Sequence, residues 1–518
     1  MKLRRNRPIS KKEILNEKTS KHLSKMYQEN IDTLKRLFKD CSDIVFREFR
    51  TGDRQSCLIF VDGLIDSPSI QFHAIKQLLD SSDVNELTAN YVMNEIVSIN
   101  AVKETESLDD CVKKVLAGNT ILIIDGLEKA LAFDSKGGSR RSVAEPESET
   151  AVRGPREGFT ESLRVNTSLV RHKIRSNRLK IISKEIGEET ATGIAVLYIE
   201  GLAAPELVAE VESRLDRIKI DGILESGYIE EFIEDNPWSL FPQIQNTERP
   251  DTVAANLLEG RVAIIVDGTP FALILPVVFW QFLQASEDYY NRFHISVFLR
   301  IIRVIFIFIA LQLPALYIAV TTFHQEMIPT NLLFSFAASR EAIPFPAFIE
   351  AMIMELSFEA LREAGIRLPK IVGQAVSILG ALVIGSAAVE AGIVSAPMVI
   401  IVSITGIASF TIPRFNLAIS IRLLRFPLMI LAGMFGLFGI VIGSIVIFTH
   451  LCKLRSFGVP YFSPLAPLSF KELKDVFVRA PWWANDLRPK QLVKENRVRE
   501  SSNLKPEPGR LGEEGGTS

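Results

Sequence analysis

Residues Ile295–Val320, ISVFLRIIRVIFIFIALQLPALYIAV, form an apolar run whose only charges are Arg300 and Arg303, near its start. Crossing the hydrocarbon core of a bilayer takes roughly 20 apolar residues, so this run predicts a membrane helix, bent at Pro314. The two arginines are expected to snorkel to the interface, the alternative being that they line an aqueous path.

Working outward toward the C-terminus, Ile371–Ile412 is too long for one span and carries Glu390 as its only charge, so the Pro397 region predicts a turn between two helices. Gly373, Gly380, Gly385 and Gly406 allow close helix packing there. Phe426–Thr449 is uncharged and reads as another span, with Gly433, Gly436, Gly439 and Gly443 spaced for a tight helix interface. Four clear spans result.

Between the first and second of these, Phe345–Arg362 has Ile349, Met352, Ile353, Leu356 and Ala360 on one helical stripe, with Glu355, Glu359 and Arg362 on the opposite side. Such a helix either lies at the interface or faces protein or water within the membrane. If several copies surrounded an axis, Glu355 or Glu359 would form a carboxylate ring able to attract cations; an amphipathic interfacial helix with ordinary surface acids is the other reading. Loop charges leave the topology open, because Arg414, Arg422 and Arg425 favour an inside loop that four spans would place outside. A fifth span over Phe345–Arg362 repairs that loop and puts Lys453 and Arg455 of the tail outside.

Toward the N-terminus, Met1–Arg292 mixes charged and apolar residues as soluble regions do. The chain's net charge of −2 gives no sign of nucleic-acid binding. Met1–Lys25 carries nine Lys/Arg against two Glu and reads as a flexible arm without the apolar core of a signal peptide, which leaves the soluble region on the cytoplasmic side. Cys41, Cys57, Cys111 and Cys452 are scattered, with no metal-ligand or disulfide spacing.

Cys57–Asp62 (CLIFVD) and Thr120–Asp125 (TILIID) predict buried strands closed by the turns Asp62-Gly63 and Asp125-Gly126. Ser69–Leu79 and Asp109–Leu116 have helical spacing between them. The plan recurs in Ile194–Glu200 (IAVLYIE), followed by Gly201, and in Arg261–Asp267 (RVAIIVD), followed by Gly268. Two tandem, related α/β subdomains are inferred. The Asp-Gly pairs read as turns rather than ligand sites, since no phosphate-cradling glycine motif accompanies them. The polar stretch Lys136–Arg178 reads as a loop followed by a basic helix from about Thr160 to Lys184, and its arginines and acids suit either a solvated linker or an assembly joint.

The expected fold class is therefore α/β plus membrane α-helical: two related subdomains followed by a transmembrane domain of four to five spans. The expected boundaries are a basic arm at 1–25, subdomains at 26–135 and 185–294 joined by a linker and helix at 136–184, a membrane domain at 295–451, and a polar tail at 452–518 with a disordered end. No catalytic constellation, metal site or cofactor motif stands out, so no enzyme is expected.

Glu147-Ser148-Glu149, Arg153-Gly154-Pro155-Arg156-Glu157-Gly158-Phe159 and Asn166-Thr167-Ser168-Leu169 together resemble the signature of the GerA family of spore nutrient germinant receptors, A subunit. The resemblance continues through Pro344-Phe345-Pro346, Glu350, Glu355-Leu356, Arg362 to Pro369, Gly373-Gln374-Ala375-Val376, Gly458-Val459-Pro460-Tyr461, Ser463 to Pro467 and Arg479-Ala480-Pro481-Trp482-Trp483. It implies a receptor in the inner membrane of a bacterial endospore, partnered by a multi-span B subunit that binds the nutrient and a lipoprotein C subunit. It also implies a ring oligomer, a pentamer by the same resemblance, acting as a nutrient-gated cation channel. By the same resemblance, Pro344, Pro346, Glu350, Glu355 and Glu359 are pore or gating candidates, and Glu147, Glu149, Arg153, Arg156 and Glu157 are oligomer-interface candidates. A transporter component working by alternating access is the competing expectation, marked by internal symmetry in the membrane block.

Overall fold

The computed structural model describes residues 22–81, 88–137, 144–369, 380, 385–470, 472–493, 496–500 and 504–506. Most of the basic arm, Gly373 to Val376 and the end of the tail lie outside them.

Helix α1 (Tyr27–Leu37) leads into a five-stranded sheet of β1 (Ile44–Thr51), β2 (Arg54–Val61), β3 (Val102–Thr105), β4 (Thr120–Ile124) and β5 (Ala130–Phe133), in the order β1-β2-β4-β5-β3. Every pairing is antiparallel, with Ile44 opposite Val61 and Ile59 opposite Ile121. Alternate residues enter different cores. Cys57, Ile59, Ile121 and Ile123 pack with α1 and α2 (Leu108–Leu116), while Leu58, Leu122 and Ile124 pack under the helical segment spanning Ser67 to Asp80. A sheet covered on both faces has no polar side, which is why TILII shows no alternation.

The second sheet repeats the first. Helix α3 (Leu163–Lys173) precedes β6 (Leu179–Ile186), β7 (Thr192–Ile199), β8 (Gln245–Thr247), β9 (Val262–Val266) and β10 (Ala272–Leu275), ordered β6-β7-β9-β10-β8, with α4 (Pro205–Asp216), α5 (Ser226–Ile233) and α6 (Pro250–Leu257) packed around it. The Asp-Gly turns are turns: Gly63, Gly126 and Gly268 have φ of 80°, 81° and 85°. Their aspartates also hold helix starts, Asp125 Oδ1 accepting from Tyr27 N at 3.4 Å and Asp267 Oδ1 from Leu163 N at 2.8 Å. The turn before each helix is tied alike, by Asn30 to both backbone groups of Ser24 and by Asn166 to both of Thr160. The duplication therefore includes α1 and α3. The basic helix expected to reach Lys184 instead stops at Lys173, because Lys180 and its neighbours are needed as strand β6.

Among the described residues, two helices are long and apolar enough to cross a membrane, α7 (Phe293–Phe323) and, after α8 (Thr330–Arg340), α9 (Ala347–Arg367) and α10 (Ala396–Phe410), α11 (Phe415–Lys453). Helix α11 is not one straight rod. Gly436 breaks it with φ 61° and ψ −139°, and Gly443 lies against Leu428 and Leu431, contacts impossible in a continuous helix. Two antiparallel arms result, which corrects the single span expected over Phe426–Thr449; Gly439 and Gly443, where a Cβ would strike Leu431 and Leu428, let the arms close.

The near ends of both arms meet one loop: Ser420 Oγ donates to Leu240 O, and Ser239 Oγ lies 2.8 Å from His450 Nε2. At the far end Gly436 touches Phe323 and His324. The chain after Lys453 consequently emerges beside the soluble region and packs on it through β11 (Arg455–Ser456) and β12 (Val459–Pro460), with Tyr461 buried and its hydroxyl donating to Pro242 O at 2.7 Å. The tail therefore returns to the same end of the helical block as the soluble region.

Candidate functional site: a buried acid row in the helix bundle

Helix α9 begins after Pro344 and Pro346, the second at its N-cap. Its apolar stripe Ile349, Ile353 and Leu356 faces outward, with Leu356 56% exposed, while Glu350 and Glu355 are fully buried. An inward-facing acid row and an outward apolar stripe invert the usual pattern of a water-facing amphipathic helix.

Each acid holds a different neighbour. Glu350 Oε1 accepts from Ser395 N at 2.5 Å and from the Ser395 hydroxyl, at the start of α10, where the helix dipole favours an anion. Tyr317 of α7 approaches the same serine at 3.3 Å. One turn and a half further along, Glu355 Oε2 accepts from Arg425 Nη1 of the first arm of α11. Glu359 accepts from Arg362 Nε at 3.0 Å and lies 3.9 Å from Arg422 Nε. Because α9 and this arm run in opposite directions, Glu355–Arg425 and Glu359–Arg422 form two successive rungs.

Glu355 Oε1, Glu359 Oε1, Arg425 Nη2 and Arg422 Nη2 have no hydrogen-bond partner among the described residues. Each rung is therefore held by fewer bonds than its groups can make.

The bundle is bolted to the soluble region by charge as well. Arg300 and Arg303, expected to snorkel, are buried and converge on Asp288 Oδ2 at 3.3 and 2.6 Å. Snorkelling is overruled because the face of α7 that carries both arginines is covered by protein. Arg300 also donates to Asp475 Oδ1 at 2.9 Å, drawing the tail into the same joint. Burial pushes the Asp475 carboxyl up from its ordinary value, against the pull of Arg300.

The linker candidates divide into two sets. Glu149 meets Arg414, between α10 and α11, and accepts from Thr247 Oγ1 at 3.0 Å. Arg249 ties the linker backbone to α6, donating to Glu149 O at 3.1 Å and Pro155 O at 2.8 Å while pairing with Asp251. Glu147, Arg153, Arg156 and Glu157 lie on the exposed side, Arg156 at 3.1 Å from Glu145 and Glu157 at 2.8 Å from Lys173.

Sequence reasoning missed three positions: Asp43, paired with Arg171; Asp288; and Arg425 as the partner of Glu355. Arg425 was visible as a basic residue at the edge of an apolar run, but its partner lies 70 residues away.

The family model for the Bacillus/Clostridium GerA spore germination protein matches residues 32–491. The chain is 55% identical to an uncharacterized membrane protein, YfkQ, of Bacillus subtilis (strain 168), over 92% of this chain and 93% of that one. It is 48% identical to spore germination protein KA of the same organism, over 94% and 90%. The crystal structure of the N-terminal domain of the A subunit of the Bacillus megaterium spore germinant receptor GerK3 is similar at 36% identity with a TM-score of 0.41, covering 51% of this chain and 99% of that one. With its family match running from α1 to the tail and near-complete alignment to germination proteins, the chain belongs to the GerA family of spore germination proteins.

Proposed function

We propose that the protein is an A subunit of a nutrient germinant receptor, embedded in the spore inner membrane with its soluble region and tail on the cytoplasmic side. It assembles as a ring with further copies of itself and works with a nutrient-binding B subunit and a lipoprotein C subunit. Nutrient binding favours an open arrangement through which cations leave. Helices α7, α9, α10 and the two arms of α11 cross the membrane; residues 368–394, which connect α9 to α10, lie partly outside the described ones.

The observation that carries this reading is the inverted polarity of α9. Its exposed stripe suits lipid or the same helix of another copy. Its acids, Glu350, Glu355 and Glu359, are charges inside a membrane block, where charge marks ion pathways and moving parts. The two rungs supply a discrete alternative state: a slide of α9 by one turn would bring Glu359 opposite Arg425, an exchange of the kind seen in one-turn ratchets. A nutrient shifts such an equilibrium only if it binds the open state more tightly. Pro344 and Pro346 fix where α9 starts, and the exposed Arg153 and Arg156 with Glu147 and Glu157 are offered to a neighbouring copy, as head-to-tail contacts that close a ring require.

Replacing Glu355 and Glu359 with Gln, singly, and following cation release from spores on nutrient addition tests the reading. Slowed release or altered cation preference is expected; unchanged rate and preference in both variants removes these acids from gating.

A further inference from the structure

Proline has no N–H, so Pro314 leaves the carbonyl of Ala310, four residues back in α7, without its intrahelical donor. That gap is buried, Ala310 being 0% exposed. It is filled from another helix: Arg425 Nε donates to Ala310 O at 2.8 Å, while Nη1 of the same guanidinium holds Glu355. One side chain thus closes the break in α7 and grips the acid of α9.

We propose that Arg425 is a positioning residue that couples the hydrogen-bond gap at Pro314 to the acid row. The inference rests on the receptor reading above, and it assigns to this residue the transmission from soluble region to pore-associated helix. Helix α7 leaves the soluble region through Arg300 and Arg303 on Asp288, so a displacement there arrives first at the weak point that the missing hydrogen bond makes at Pro314. The helix axis cannot tilt at Pro314 without moving the Ala310 carbonyl, and that carbonyl is tied to Glu355 through one planar group. The planar group matters, because Nε and Nη1 point to opposite sides of one rigid plane and so engage two acceptors on different helices at once, which the single ammonium of lysine cannot reproduce. Glu355 Oε1 and Arg425 Nη2 are left without partners among the described residues, so the grip is single-pronged and exchangeable.

The test uses the full chain with its receptor partners in spores, as Arg425→Lys, Arg425→Gln, Pro314→Ala and the Pro314→Ala/Arg425→Gln double variant. Chain level in the spore membrane and the initial rate of cation release after adding a mixture of L-amino acids and sugars are measured. Each single variant is expected to slow release roughly tenfold per chain present in the membrane, and the double variant to be no slower per chain than the slower single, since both break one link. In parallel, spin labels at Phe298→Cys and Phe323→Cys, in the full chain in lipid nanodiscs with Cys452→Ser, report the shape of α7. A changed distance in both Arg425→Lys and Pro314→Ala supports the link even if the wild-type chain conducts no cations, in which case the conduction reading alone fails. An unchanged distance in both variants, wild-type release by Arg425→Lys, or slowdowns that multiply in the double variant would each overturn the proposal.

Discussion

Glu355 and Arg425 meet across two antiparallel helices, and neither exposes more than 1% of its surface. Removing one charge from such a pair leaves the other uncompensated, at about 3–5 kcal/mol, whereas replacing both with apolar side chains is often neutral or stabilising. Glu355→Ala should therefore lower the thermal midpoint of the detergent-solubilised chain markedly. Glu355→Leu/Arg425→Met should recover most of that loss while leaving nutrient-triggered cation release impaired. Equal loss in the single and double variants would show that the pair is not held as described.

Asp43 and Arg171 form the corresponding joint between the two soluble sheets. Arg171 Nε and Nη2 donate to the two carboxylate oxygens at 2.7 and 2.8 Å, and Arg171 is 0% exposed. Ser42 N also donates to Ile181 O of β6 at 2.9 Å, so the pair sits where the subdomains touch. Arg171→Ala is expected to cost about 3 kcal/mol or more, and Arg171→Lys to recover little because lysine lacks the two-pronged fit. Limited proteolysis of the full chain, reading cleavage between the sheets, checks this.

Asp288 receives both Arg300 and Arg303, so Asp288→Asn removes the charge on which the start of α7 is seated. Amide hydrogen exchange in residues 286–303 should rise by roughly tenfold or more, with strands β4 and β9 unaffected. Faster exchange throughout the second sheet would mean that the aspartate supports the subdomain and not the joint.

The second subdomain has a built-in pH dependence. Burial, with Glu234 and Glu225 close by, pushes Glu230 up to about 8, and burial pushes Glu234 up to about 7, both from 4.5. The folded chain then holds protons that the unfolded chain has released, so these groups' contribution is complete below pH 4.5 and is lost as pH rises through 7 and 8. Glu230→Gln should raise the thermal midpoint by a few degrees at pH 9 and leave it nearly unchanged at pH 4.5. A variant equally stabilised at both pH values would contradict the sign.

The strands and the duplication were legible because TILII and VAIIV are buried on both faces and closed by glycines at positive φ, which local sequence records directly. The helical content of Phe345–Arg362 was legible for the same reason, since periodicity needs only neighbours along the chain. The direction in which that helix faces was not. Its stripe has the same spacing whether lipid or protein lies outside, and what turned it was the presence of Arg425 and Ser395 on other helices. The hairpin in α11 was hidden because Gly436 sits in a row of glycines that also suit a straight packed helix.

The apolar run at Ile295–Val320, with its arginines and proline, was sufficient by itself to determine that this protein has a helix long and apolar enough to cross a membrane, with one backbone carbonyl robbed of its donor by Pro314, because hydropathy and a missing N–H are properties of the residues alone. What only the tertiary structure decided is where the consequences go. Arg300 and Arg303 reach back to Asp288, and the carbonyl freed by Pro314 is claimed by Arg425. Both outcomes depend on groups distant in sequence, which buried charges and orphan carbonyls must find wherever the fold brings them.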